Sequence, residues 1–143
     1  MLQVTQASPA NSPSDTRSTH FETRAQMVHL DAEGIIRASS KPNVDLDLES
    51  AQDCVQGLAA ILGGVRRPIL VDFTDTRSVS RDARKYFAGE ETTRIESAAA
   101  LLVGSPLARA IGNFFMGFNK PSIPTRLFTS EAEALEWLRG FLP

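Results

Sequence analysis

Two short apolar runs constrain this chain more than any other feature: Ile69-Leu70-Val71-Asp72-Phe73, and Ala98 to Val103. Neither alternates between apolar and polar side chains, so each reads as a strand covered on both faces, the habit of parallel strands. Parallel neighbours need crossover connections, and helical patterns follow both runs. Thr74 to Val79 reads as a loop after the first run. Ser80 can then cap a helix whose Ala83, Tyr86 and Phe87 face inward, and Gly89 breaks it. Glu90 to Glu96 is polar and reads as a further helical turn. After the second run, Gly104-Ser105-Pro106 leads to Leu107, Ala110, Ile111, Phe114, Phe115 and Phe118, which mark one face of a helix over 107–119.

The flanking segments complete the pattern. Ala25, Met27 and Leu30, the turn Asp31-Ala32-Glu33-Gly34, and Ile35 to Ala38 read as a β-hairpin, with Gly34 free to take a positive φ. Asp45 or Asp47 can cap a helix carrying Ala51, Cys54, Val55, Leu58, Ile61 and Leu62, and Gly63-Gly64 stops it. Thr125 to Phe128 is a short strand. Ser130 and Glu133 form a capping box ahead of Leu135, Leu138, Phe141 and Leu142. The expected fold is therefore α/β: a mixed, mostly parallel sheet of four to five strands, an N-terminal hairpin at one edge and about four helices. It forms a single domain over 21–143. Residues 1–20, rich in Ser, Thr, Gln, Asn and Pro, read as a disordered tail, either a partner-binding arm or a passive extension.

Composition excludes several classes. The apolar fraction of 42% against 22% charged lets 143 residues bury one core. A net charge of -2 gives no pull towards nucleic acid or an anionic membrane surface. The lone Cys54 forms no internal disulfide and fits a reducing compartment. No apolar run reaches the length of a membrane span and no signal peptide is visible, so the expected location is cytoplasmic. His20 and His29 lie outside any metal-ligand spacing. No nucleophile elbow, Walker loop or dinucleotide fingerprint is present. No metal, cofactor or catalytic residue is expected.

Several segments resemble the STAS fold, named for sulfate transporters and anti-sigma-factor antagonists. They are Leu30-Asp31-Ala32-Glu33-Gly34-Ile35, Ile69-Leu70-Val71-Asp72, Ala83-Arg84-Lys85-Tyr86-Phe87, Ile111-Gly112-Asn113-Phe114-Phe115, and above all Pro124 to Ser130 with Ala134-Leu135-Glu136-Trp137-Leu138. The chain is more closely similar to a bacterial STAS-like family of unknown function, over about Glu22 to Leu142. The resemblance implies a non-enzymatic regulatory module that binds a protein partner. In anti-sigma antagonists a serine in the first turn of the helix after the Asp-ending strand is phosphorylated, and the added charge blocks docking. The matching segment here is Asp72 to Asp82. It lacks the Asp-Ser-Ser-Gly signature: by register Arg81 occupies the serine's place and Ser80 precedes it.

The candidate partner-binding residues are Asp75, Arg77, Ser78, Ser80, Arg81 and Arg84, with Ser78 and Ser80 as candidate phosphorylation sites. Arg77, Arg81 and Arg84 can share a helix-end face that holds a phosphate or an acidic partner, or they form a solvated surface neutralised by Glu90 and Glu91. Ser80 equally reads as a plain helix cap. The alternative function is a small-molecule or lipid-binding carrier or sensor, using a cleft between the helix 107–119 and the sheet; a preformed apolar cavity with a few polar groups would favour it. Core packing is the simpler role for the Phe114, Phe115 and Phe118 cluster. A homodimer through a sheet edge or helix face is compatible with such a domain.

Overall fold

A computed structural model describes residues 19–106, 109, 110, 113 and 122–143. The tail up to Ser18 lies outside the described residues, as does most of the helix expected over 107–119. Among the described residues strand β1 (His20–Glu22) comes first, followed by β2 (Gln26–Leu30), β3 (Ile36–Ser40) and the short β4 (Val44–Leu46). Helix α1 (Leu48–Leu62), β5 (Arg67–Asp72), β6 (Thr76–Val79), α2 (Arg81–Ala88) and the single turn α3 (Glu90–Thr93) come next. Strand β7 (Glu96–Leu102), β8 (Thr125–Phe128) and α4 (Glu131–Arg139) complete the order.

The hairpin β2–β3 forms where expected. Asp31 closes its turn: one carboxylate oxygen accepts from the amides of Glu33 and Ile35, both at 2.9 Å. Gly34 takes a φ of 96°, open to glycine at little cost. The main sheet has the order β1-β2-β3-β5-β7-β8, six strands instead of four to five. The added strand is β1, so the hairpin is not itself the edge. Thr23 turns the chain there, its hydroxyl accepting from Ala25 and Gln26 amides, and β1 then pairs antiparallel with β2. Strands β3, β5, β7 and β8 run parallel.

Helix α1 is capped by Asp47, whose carboxylate accepts from the Ser50 amide at 2.9 Å, and it ends at Gly63 with a φ of 59°. Asp47 also meets Arg24 at 3.0 Å, and these bonds hold its carboxyl down at about 2. The two faces of the sheet carry separate cores. Ile69, Ala99 and Leu101 join Val28, Ala38, Cys54 and Leu58 on the α1 side. Leu70, Ala98, Ala100 and Leu102 join Phe128, Ala134 and Leu138 on the α4 side. Burial on both faces is why β5 and β7 lack alternation.

Two further segments differ from expectation. Thr74 to Val79 is not all loop: Thr76–Val79 is β6, which pairs in parallel with β4 as a separate two-stranded sheet. Each partner is too short to show a pattern, and their pairing spans more than thirty residues of sequence. The helical turn after Gly89 stops at Thr93, and Glu96 opens β7 as a buried residue. Arg66 ends that turn by donating to the carbonyls of Thr93 (3.1 Å) and Glu96 (2.8 Å). Three helices of two turns or more stand among the described residues, with α3 a single turn. No helix among them is long and apolar enough to cross a membrane.

Candidate functional site

The segment leaving β5 is shaped by its own polar side chains. The Asp72 carboxylate accepts from the Thr74 amide at 2.9 Å and the Thr74 hydroxyl at 2.6 Å, which turns the chain at the strand end. Asp75 follows, exposed, with its backbone carbonyl taking the Asn43 amide at 3.0 Å. Thr76 is buried and donates to the Ser40 hydroxyl at 2.6 Å, so the segment is pinned to the sheet before it emerges as β6.

Arg77 and Ser78 both lie on β6 and both engage Asp45 on the neighbouring β4. The Arg77 guanidinium forms a two-pronged pair with the Asp45 carboxylate, one prong from Nε at 3.0 Å. The Ser78 hydroxyl donates to the same carboxylate at 2.5 Å. Hydrogen bonding by Arg77, then by Ser78, holds the Asp45 carboxyl at about 2. All three are solvent-facing. Val79 then turns inward, and Ser80 leaves the strand with its amide bonded to the Leu46 carbonyl. The Ser80 hydroxyl accepts from the Ala83 amide at 3.1 Å and caps α2.

The arginines do not form the shared helix-end face that their spacing allowed. Arg77 belongs to β6 and is committed to Asp45. Arg84 is half-buried and bends back to the Val79 carbonyl at 2.5 Å. Arg81 is exposed at the start of α2. Glu90 and Glu91 do not neutralise this group either: Glu90 pairs with Arg94 at 3.6 Å, and Glu91 accepts from the Tyr86 hydroxyl at 3.2 Å. What the surface presents is a strip: Asp75, then Arg77 and Ser78 with Asp45, then Ser80 and Arg81. Asp45, considered from sequence only as a helix cap, is the residue at its centre; the cap itself is Asp47.

A second feature lies inside the domain, on the α1 face. A cavity of about 50 Å3 is walled mainly by apolar side chains, among them Val55, Leu58, Ile69, Val71 and Leu101. Gln26, Cys54, Thr92, Glu96 and Thr125 are its polar lining among the described residues. A β-bulge aims Glu96 at it. Arg67 stands opposite Glu96 and Ile69 opposite Ala99, so two steps along β5 match three along β7. Ser97 and Ala98 therefore both serve the α4 side, Ser97 by donating to the Phe141 carbonyl at 3.1 Å, and Glu96 returns to the α1 side. Burial pushes the Glu96 carboxyl up to about 8, and burial followed by the nearby Glu96 charge pushes the Cys54 thiol up to about 12. The cleft between the helix 107–119 and the sheet falls outside the described residues. Among those described, no group of three or more His, Cys, Asp or Glu residues is placed to hold a metal ion. His20 and His29 are exposed and face each other across β1 and β2.

A family model described as a domain of unknown function (DUF7793) matches residues 28–142. No curated protein matches the chain. Solved structures share its fold, among them the three that follow. The anti-sigma factor antagonist SpoIIAA in its unphosphorylated form is 18% identical, with a TM-score of 0.56 over 81% of this chain and 99% of that one. An anti-sigma factor antagonist from Mycobacterium paratuberculosis is 19% identical, with a TM-score of 0.55 over 80% and 92%. An uncharacterised protein of the DUF3478 family from Shewanella loihica, with a SpoIIAA-like fold, is 18% identical, with a TM-score of 0.54 over 82% and 98%.

Proposed function

Because the chain belongs to the family described as a domain of unknown function (DUF7793), a description that carries no activity, fold and surface must supply the reading, and we propose a non-enzymatic STAS-like regulatory module that docks onto a protein partner. The observation that carries this reading is the strip of exposed side chains Asp75, Arg77, Ser78, Ser80 and Arg81, set in a fold shared with anti-sigma factor antagonists. The strip offers both charge signs and two hydroxyls on a rigid support, since β6 is paired to β4 and Ser80 caps α2. Arg77, Ser78, Ser80 and Arg81 form its polar contacts, with Asp75 at one end and Arg84 as a prop beneath.

Phosphorylation is the regulation this strip supports. A phosphate on Ser78 replaces the hydroxyl that donates to Asp45 and sets two anions side by side, so Arg77 must choose between them. A phosphate on Ser80 sits instead at the α2 N-terminus, where the helix amides and Arg81 favour it. Either change alters the charge a partner meets. The test compares proteins retained by the tagged full chain with those retained by an Arg77→Ala, Ser80→Ala, Arg81→Ala triple variant of unchanged melting temperature. A protein held by the first and lost by the second supports docking here. Equal retention of everything removes the strip from the reading. Intact mass of the chain from its native cells reports the phosphoform, and its absence across growth conditions removes the switch.

A further inference from the structure

The internal cavity goes beyond a docking role, and we propose that it binds a small branched primary amine, with the ammonium head on Glu96 and Gln26 and the alkyl tail against the apolar wall. The polarity of the lining is unmatched. Gln26 is only 2% exposed and Glu96 6%, so both lie inside the domain. The Gln26 Oε1 atom is buried without a hydrogen-bond partner among the described residues. A buried acceptor left in this state costs free energy, and a native fold that keeps one calls for an explanation. Glu96 has no side-chain hydrogen bond among the described residues, and a bulge, not a regular strand, brings it to the cavity.

The other polar groups sharpen the chemistry. The Thr92 hydroxyl donates to the Tyr86 carbonyl at 2.8 Å, and the Thr125 hydroxyl donates to the Ile123 carbonyl at 3.0 Å. Both protons are used, so these oxygens can only accept from a guest. With Glu96 ionised, the described lining presents mainly acceptors, namely Oε1 of Gln26, the Glu96 carboxylate and two threonine oxygens, against the donors of the Gln26 amide nitrogen and the Cys54 thiol. A guest head that only donates matches them. An ammonium has three donors and no acceptor, whereas a hydroxyl or a water brings lone pairs that the apolar wall leaves unsatisfied. The ammonium also provides the opposite charge that an ionised buried carboxylate needs. On binding, the Glu96 carboxyl releases its proton to solvent and the amine keeps its own, leaving a neutral pair. Cys54 from α1 stays a thiol, and the Arg66 guanidinium remains on the Glu96 backbone carbonyl at 2.8 Å. The volume, about 50 Å3, admits a few water-sized groups and sets the guest at short-chain size.

The test titrates the full chain with isobutylamine and with isobutanol, its uncharged isostere, while reading the methyl carbon–proton spectrum of Val55, Leu58, Ile69 and Leu101. Saturable shifts of these methyls with the amine, at roughly tenfold higher affinity than with the alcohol, are expected. Glu96→Gln and Gln26→Met, each checked for an intact melt, should bring the amine down to the alcohol's affinity and leave the alcohol unchanged. Gln26→Met keeps the carboxylate, so the two variants report on separate contacts. Absence of saturation with both probes means that the cavity holds water only, and it overturns the proposal. Equal binding of amine and alcohol, or an amine affinity untouched by both substitutions, overturns it as well.

Discussion

Glu96→Gln should make the domain more stable at neutral pH and remove a pH dependence that the wild-type chain carries. The carboxyl sits at about 8 in the folded domain against an ordinary 4.5, and burial is the cause. Between those values the folded chain holds a proton that the unfolded chain has released, so stability falls as pH rises. The fall is about 1.4 kcal/mol per pH unit for one such group. The penalty is absent below the ordinary value, reaches roughly 3 kcal/mol by pH 7 and is complete once the pH passes the folded-state value. Glutamine has nearly the same shape and never ionises, so it escapes the penalty. Urea unfolding at pH 5, 6, 7 and 8 is the assay, read as the difference between wild type and variant so that every other titrating group cancels. The two curves should start close together at pH 5 and separate steadily. Parallel curves across the range would show that water or a polar partner solvates the carboxylate, and the account of Glu96 as a buried, unpaired acid would fail.

Three further outcomes follow from packing. Gly57→Ala should destabilise although alanine is the better helix former by about 1 kcal/mol, because the new methyl would lie 2.5 Å from the Phe21 ring and push β1 off α1; chemical denaturation gives the sign, and a gain in stability refutes the clash. Leu138→Ala should cost about 2–5 kcal/mol, since Leu138 is 0% exposed at the centre of the α4-side core, and a loss well under 1 kcal/mol in urea would show that α4 is a loosely held cover. Cys54 should resist a thiol-labelling reagent in the native state and react on unfolding, because the thiol is buried and its ionisation is pushed up to about 12; rapid native labelling would show that the cavity opens readily to solvent.

Local chemistry made much of this fold legible and long-range pairing hid the rest. The Asp31–Gly34 turn, the Gly63 stop, the Ser80 and Ser130 caps and the two-faced strands β5 and β7 are each decided within a few residues, so patterns in the chain expose them. Strands β1, β4 and β6 are three or four residues long, below the length at which alternation means anything. Their existence depends on partners: β6 is a strand only because β4 lies beside it. The candidate surface suffered from the same gap. Spacing groups Arg77 with Arg81 and Arg84, yet one lies on β6, one at the start of α2, and the third folds back under the strand. The real neighbour of Arg77 and Ser78 is Asp45, thirty-two and thirty-three residues away.

Glu96 shows why the internal cavity was out of reach of sequence. Strict alternation counted back from Ala100 and Ala98, which serve the α4 side, would put Glu96 on that side too. One extra residue in β7 reverses the assignment, and a single-residue shift is enough to move a side chain through the whole thickness of the sheet. Nothing about the residue types 96–99 announces the insertion, because Ser97 and the alanines are small enough to sit on either face. The bulge is decided by what each face can accept. The α4 side takes Ser97 through the Phe141 carbonyl, while the α1 side has Gln26, Thr92 and Thr125 around open space. A carboxyl with no ion pair goes where polar neighbours and room coincide, so the position of the bulge and the presence of the cavity have one physical cause.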